Sequence, residues 1–285
     1  MRYLITGRNG QLATAFIRRF EELSIDYAAP NESQLDITKE PVVADAVASL
    51  RPDVIINCAA FNLVDKAEQD RDTAFRVNAL GAKHLSQAAA LHAATLIHFG
   101  SDYVFDGLKQ NGLYTEGDMP NPLNEYGRSK LQGEHEVENG CEKYLILRLS
   151  WVFGGGKQNF IHKLREWARS CDYLKIACDE FSVPTYTETV VRMTMRAVDQ
   201  RITGIYHLTN SGFCSRYEWA KVILSSLGIE KFIKPVSMDV FDLPAKRPKF
   251  SAMSNGRLAA LLNADIPAWE DAVRSFLQKA EVVDG

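Results

Sequence analysis

Gly7 and Gly10, in "LITGRNGQLATAF", stand between a short apolar run and an amphipathic stretch at the very start of the chain. A strand that meets glycine and gives way at once to a helix leaves few architectures open. The glycines permit the tight turn, and Ala13, three residues after Gly10, lets the helix lie close to the strand. The first N–H groups of that helix, at the positive end of its dipole, then face the space above the turn, which suits a pyrophosphate. Alone, G-x-x-G-x-x-[GA] carries little weight, because a plain structural turn also produces it. Its position at the head of a strand–helix alternation gives it meaning.

That alternation runs through the first half. "RYLIT" (2–6), "IDYAA" (25–29), "DVIINCAA" (53–60), "ATLIHFG" (94–100) and "KYLILRLS" (143–150) read as strands. Helical patterns lie between them: Gln11 to Glu22, about Glu40 to Leu50 with Pro41 in its first turn, and about Thr73 to Leu91. "DVIINCAA" is apolar almost throughout, as a strand covered on both faces requires. The fold class is therefore α/β, a Rossmann-type doubly wound parallel sheet. After Trp151 the pattern loosens into the turn "FGGGKQN", the helices "NFIHKLREWAR" and "RYEWAKVILSSLG", a proline-punctuated stretch over 235–248 and a last helix near Trp269–Lys279. "GIYHLTN" (204–210) reads as one more sheet strand. These segments predict an NAD(P)-binding domain over 1–150 with a returning segment near 187–210. A smaller α-rich C-terminal lobe for substrate takes most of 151–285, interleaved with it.

Several classes fall away. A net charge of −3 gives no electrostatic reason to expect nucleic acid or an anionic membrane as partner. The N-terminal apolar run is too short for a signal peptide, and no stretch reaches membrane length, so a cytoplasmic protein is expected. Five cysteines, with no C-x-x-C, argue against a disulfide framework and a zinc site, and no metal is expected.

The end of the second strand normally separates NAD from NADP, since an acid there binds the ribose hydroxyl and a base accepts a 2′-phosphate. Here the tip is Ala29-Pro30, Asp26 lies at the strand's start, and Arg8 in the glycine loop can reach a phosphate. The expectation is NADPH, with NADH open.

A second motif carries the chemistry. "NEYGRSK" sets Tyr126 and Lys130 four apart, on one helix face, but "YEWAK" gives Tyr217 and Lys221 the same spacing. Context separates them. Tyr126 follows the strand ending "GSDYVF", whose Ser101, Asp102 and Tyr103 stand at the C-terminal edge where open α/β sheets bind ligands. Tyr217 follows no such strand, and "YEWAKVIL" has core-like helical spacing. Reduction of a ketone needs a proton for the developing alkoxide. A tyrosine can give it if lysine and an oxidised nicotinamide favour the phenolate, and Ser101 can hydrogen-bond the same oxygen.

Taken together, T-G-x-x-G, "NCAA", "SDYVFDG" and "YGRSK" resemble the extended short-chain dehydrogenase/reductases. Within them, "LDIT", "RPDVIINCAA", "VDKAE", "VNALGAKHL", "PLNEYGRSK", "LRLSWVFG", "PTYT" and "RPKFSAMSNGRL" are similar, in order and over nearly the whole chain, to the dTDP-4-dehydrorhamnose reductase family. The resemblance implies NAD(P)H-dependent reduction of a 4-keto-6-deoxy sugar nucleotide, with Ser101, Tyr126 and Lys130 catalytic. It implies cofactor contacts from Gln11, Leu12, Asp36, Ile37, Ala60 and Asn62, beside Gly7, Arg8, Asn9, Gly10 and Ala59. Trp151 resembles an aromatic that packs against the sugar, the alternative being core packing. Asp102 and Tyr103 touch substrate in this reading, or Asp102 shapes the turn. A homodimer is open, but the acid through which some members bridge subunits with magnesium is matched here by Ala15. Gly100-Ser101 replaces the common Ser-Thr, and Phe61-Asn62 the usual pair after the alanines. Two other readings remain. An epimerase or dehydratase of the superfamily is one, and the dehydratases need a second carboxylate that does not follow Asp102. A non-catalytic NADP-binding subunit like the methionine adenosyltransferase β subunit is the other, and it lacks the Trp of "SWVFG".

Overall fold

The computed structural model describes residues 1–284, with side chains described through Lys279. Its main sheet has six parallel strands: β1 (Tyr3–Thr6), β2 (Tyr27–Ala28), β3 (Val54–Asn57), β4 (Thr95–Ser101), β5 (Tyr144–Leu149) and β10 (Gly204–His207), in the order β10-β5-β4-β3-β1-β2. The chain moves outward from β1 in one direction to β2 and in the other through β3, so the strand order reverses between β1 and β3. In such sheets ligands bind outside the C-terminal ends at that reversal.

Alternate side chains explain the two layers. Ile5, Ile56, Ile97 and Leu147 pack on one face with α1 (Gln11–Glu22) and α8 (Thr187–Asp199). Leu4, Ile55, Leu96 and Ile146 pack on the other with α2 (Glu40–Leu50), α5 (Gly81–Leu91) and α6 (Glu125–Gly140). Both faces are therefore dry, which accounts for the unbroken apolar run of β3. β10 pairs with β5, and α8 packs against the sheet, so the chain returns to the first core after leaving it.

A second core gathers Trp151, Phe153, α7 (Phe160–Ser170), α9 (Arg216–Ser226) and α11 (Trp269–Asp284). This lobe is less purely helical than its sequence suggests. It carries three two-stranded sheets: β6 (Val152–Phe153) with β9 (Thr185–Tyr186), β7 (Leu174–Ala177) with β12 (Ile233–Val236), and β8 (Phe181–Ser182) with β11 (Cys214–Ser215). Most of these strands have two residues, too few for a period to show.

Two elements of the first half also differ from expectation. β2 keeps only Tyr27–Ala28, because Ile25 N–H closes the end of α1 on Phe20 and Pro30 has no N–H. The helix expected over Thr73–Leu91 is broken into α4 (Arg71–Phe75), a π turn over Arg76–Leu80, and α5. Wide turns of this kind concentrate at functional sites.

Candidate active site

The glycine loop is as tight as its sequence requires. Gly7 has φ +68°, and a Cβ there would come 2.6 Å from Ala59 N. Gly10 N donates to Gly7 O at 2.9 Å. The N-terminus of α1 has no side-chain cap and no acid in its first turn, whereas Asn124, Asn159 and Ser215 cap α6, α7 and α9. Free N–H groups over a glycine cradle fit a dinucleotide pyrophosphate. Arg8 donates to Ala29 O at 3.1 Å, which places a cation at the tip of β2 where a 2′-phosphate would need it. Asn9 is exposed in the same loop, and Gln11 donates to Val152 O at 3.1 Å while its Oε1 is buried without a partner. Leu12 packs toward the sheet. Replacing Gly7 by Ala should weaken dinucleotide binding by at least about tenfold, through left-handed strain and collision with Ala59. Fluorescence titration of cofactor onto the folded variant checks this.

Other residues that the resemblance links to cofactor have their side chains engaged locally. Asp36 accepts from Thr38 N and Oγ1 at 3.0 and 2.7 Å and pairs with Lys39, so its carboxyl lies below the usual range. Ile37 is buried, beneath Gly81, and its carbonyl accepts from His84 Nδ1. Ala59 N donates to Thr6 Oγ1 and Asn57 Oδ1, both at 3.2 Å, and Ala60 follows half-buried. Asn57, the polar end of an apolar strand, also meets His98 at 3.1 Å. This buried row crosses β1, β3 and β4 under the crevice and was not singled out from sequence.

β4 delivers Ser101 to the sheet edge, and a 3-10 turn over Asp102–Val104 follows. α6 then starts with Asn124 as cap: its Oδ1 accepts from Gly127 N and its Nδ2 donates to Lys246 O, both at 2.8 Å. Gly127 is needed because a Cβ would strike the Tyr103 carbonyl. Tyr126 is buried, edge-on to Tyr103 at 5.7 Å, with its hydroxyl 3.4 Å from Asn62 Oδ1. One turn on, Lys130 donates to Phe99 O at 2.6 Å. Asn78, in the π turn, bonds both polar groups of the Phe61 backbone and donates to Ser129 Oγ, so the loop bearing Asn62 is fixed to the helix bearing Tyr126. Asn78 also went unremarked in the sequence.

Burial pushes the Tyr126 phenol up to about 12, with Ser101 holding it down and Asp102 adding to the rise. Burial brings Lys130 down to about 8, against the carboxylate of Glu134. A tyrosine that keeps its proton, beside a lysine that can carry charge or release it near neutrality, suits proton donation. Ser101 Oγ donates to Asp102 Oδ1 at 3.3 Å and accepts from Tyr103 N at 3.2 Å. Burial raises the Asp102 carboxyl to about 6, and it pushes the Tyr103 phenol up as well.

The other Tyr-x-x-x-Lys is elsewhere. Tyr217 is half-buried on the second core, and Lys221 lies 5.7 Å from its ring, a surface cation–π contact.

Trp151 follows β5 with φ +38°, a left-handed backbone that a bulky residue adopts only when its surroundings impose it. Its ring stacks on Trp219 at 5.5 Å and 9°, and Arg216 Cζ lies 3.6 Å from the Trp151 centroid and 5.5 Å from that of Trp219. An Arg216 on the opposite face would be farther from Trp219 than that, so both groups cover one face of Trp151. Trp151 is itself only 9% exposed, so in this structure its ring is packed into the second core. Glu180 holds Arg216 at 3.2 Å.

Ala15 lines a groove of about 510 Å³ with Glu188, whose carboxylate is paired with Arg18 and Lys279. Among the described residues no cluster of His, Cys, Asp or Glu could hold a metal ion, and no helix is long and apolar enough to cross a membrane.

A family model described as the RmlD substrate binding domain matches residues 1–282. The chain is 31% identical to a spore coat polysaccharide biosynthesis protein, SpsK, of Bacillus subtilis, over 97% of this chain and 96% of that one. It is 33% identical to a dTDP-4-dehydrorhamnose reductase of Aggregatibacter actinomycetemcomitans, over 98% and 99%. The crystal structure of a dTDP-4-dehydrorhamnose reductase of Bacillus anthracis in complex with NADP superimposes with a TM-score of 0.94 at 34% identity, covering 98% and 99%.

Proposed function

The chain belongs to the dTDP-4-dehydrorhamnose reductase family, and from that premise we propose that it reduces the 4-keto group of dTDP-4-dehydrorhamnose to give dTDP-L-rhamnose, with NADPH as cofactor. The observation that carries this reading is the grouping of Ser101, Tyr126 and Lys130 at one sheet edge, with the glycine loop and the Trp151 segment joined beside it through Gln11.

NADPH, when bound, supplies hydride to the carbonyl carbon. The loop from Gly7 to Gly10 and the uncapped start of α1 hold its pyrophosphate, and Arg8 favours its 2′-phosphate. The rest falls to the chain's own side chains. Tyr126 carries the proton that the new alkoxide oxygen takes. Ser101, able to turn its hydroxyl from Asp102, donates a hydrogen bond to that oxygen. Lys130 offsets the negative charge left on Tyr126. Trp151 is the aromatic beside the sugar ring in this reading, and Arg216 and Trp219 hold its indole in place.

Purified protein mixed with dTDP-4-dehydrorhamnose and NADPH should consume NADPH and form dTDP-L-rhamnose, followed by absorbance and product analysis. No oxidation of either NADPH or NADH overturns the reading, and is the outcome a non-catalytic binding subunit would give.

A further inference from the structure

Asp102 stands where the sheet ends and the second core begins, and its carboxylate is shared between them. Oδ2 accepts from Ser182 Oγ at 2.8 Å and from Ser251 Oγ at 2.6 Å, while Oδ1 faces Ser101. All three partners of this junction are buried: Asp102 is 2% exposed, Ser182 0% and Ser251 3%. The two serines lie on adjoining segments. Phe181 bridges Phe250, with Phe181 N donating to Lys249 O at 2.8 Å and Ser251 N to Phe181 O at 2.9 Å. The same segment begins at Glu180, which holds both the backbone and the guanidinium of Arg216, and Arg216 lies on Trp151. A continuous path therefore runs from Ser101 through Asp102, Ser182 and Glu180 to Trp151.

We propose that Asp102 is a positioning residue, which draws Ser182 and Ser251 onto the edge that carries Ser101 and so fixes Trp151 relative to Tyr126. It acts on the sugar nucleotide through those two segments and does not itself touch the substrate. The proposal rests on the reductase reading above.

Two physical arguments support it. The carboxylate is enclosed by hydroxyls, leaving no exposed oxygen to meet a sugar. It is also a poor choice for stability. Burial raises its carboxyl to about 6, with Ser251, Ser182 and Arg216 opposing the rise and Glu180 adding to it. The stability that such a group contributes is complete at low pH and lost as pH rises through about 6. At neutral pH the ionised group instead provides one strong acceptor for two donors, which joins two segments at one point.

Steady-state kinetics on the full chain test this. The Ser182→Ala/Ser251→Ala variant should raise KM for dTDP-4-dehydrorhamnose about tenfold or more, with KM for NADPH within about twofold. Asp102→Ala should do the same, and the triple variant should be no worse than Asp102→Ala, because all three remove one junction. Asp102→Asn should recover KM to within about threefold, since its amide oxygen accepts both hydroxyls and its N–H₂ group meets Ser101. If the serine variant leaves the sugar KM unchanged while Asp102→Ala and Asp102→Asn raise it equally, the carboxylate touches substrate and the proposal is overturned. Loss of thermal stability with both KM values unchanged also overturns it. Where the alanine variants do not fold, Asp102→Asn decides: a sugar KM raised tenfold counts against the junction. A wild-type enzyme inactive on this substrate overturns the reading of the site as well, whereas an active wild type with unresponsive variants overturns the junction alone.

Discussion

Tyr126→Phe should lower kcat with dTDP-4-dehydrorhamnose and NADPH by roughly 10²- to 10⁴-fold, the usual contribution of a positioned general acid. The substitution removes one oxygen. The ring keeps its contact with Tyr103, and the hydroxyl loses a long bond to Asn62 at 3.4 Å and its interaction with Ser101, a modest cost. Stability should therefore stay close to wild type, and so should NADPH affinity, because Lys130 and the glycine loop are untouched. Single-turnover measurement of NADPH oxidation checks the rate, and thermal unfolding checks the fold. A fall of less than about tenfold, roughly 1.4 kcal/mol of barrier, would mean that the proton comes from elsewhere. Tyr217→Phe serves as the matched control, since its lysine only covers a half-buried ring on the second core.

Arg148→Met should destabilise the fold by about 3–5 kcal/mol, the range for removing one member of a buried ion pair. Arg148 Nε and Nη2 reach both oxygens of Glu134, the closest contact being 2.7 Å, and the side chains are 5% and 1% exposed. Without Arg148, Glu134 keeps a buried charge or takes up a proton, and neither is favourable. The pair sits under Gly100, where a Cβ would collide with Glu134. Arg148→Met/Glu134→Leu should recover most of the loss, because the desolvation cost disappears with the charges. Urea denaturation of the three proteins, at one pH and one salt concentration, provides the comparison. A single variant as stable as wild type would show that the ion pair contributes nothing net.

How far the sequence reveals this site depends on distance along the chain. The glycine loop, the edge residue Ser101 and the start of α6 can be read because each is a local pattern set against a strand or a cap. α2 spans Glu40–Leu50 as its proline and spacing imply. The decoy at Tyr217 is separable for a related reason, since Tyr126 follows the sheet strand that ends in Ser101, whereas the helix of Tyr217 has the apolar spacing of a core helix and packs in the second core. Ser182 and Ser251 have no such mark: they meet Asp102 across 80 and 149 residues, and a lone serine carries no period. Arg216 covers Trp151 only because the second core folds back, which its own segment does not indicate. The π turn was hidden for a different reason. "RVNALGA" has the composition of an ordinary helix, and only contact with α6 and the Phe61 loop selects the wider turn.

That wider turn has one more consequence. An extra residue in a helical turn rotates everything after it by about 100° relative to everything before. Ala74, upstream, packs with Tyr103 and Tyr126, while Ala82 and Leu85, downstream, pack on the sheet. The segment from Arg71 to Leu91 thus acts as a phase shifter, a single run of helix serving two surfaces that a regular helix would put out of step. Deleting one residue there would leave a better helix and a worse enzyme.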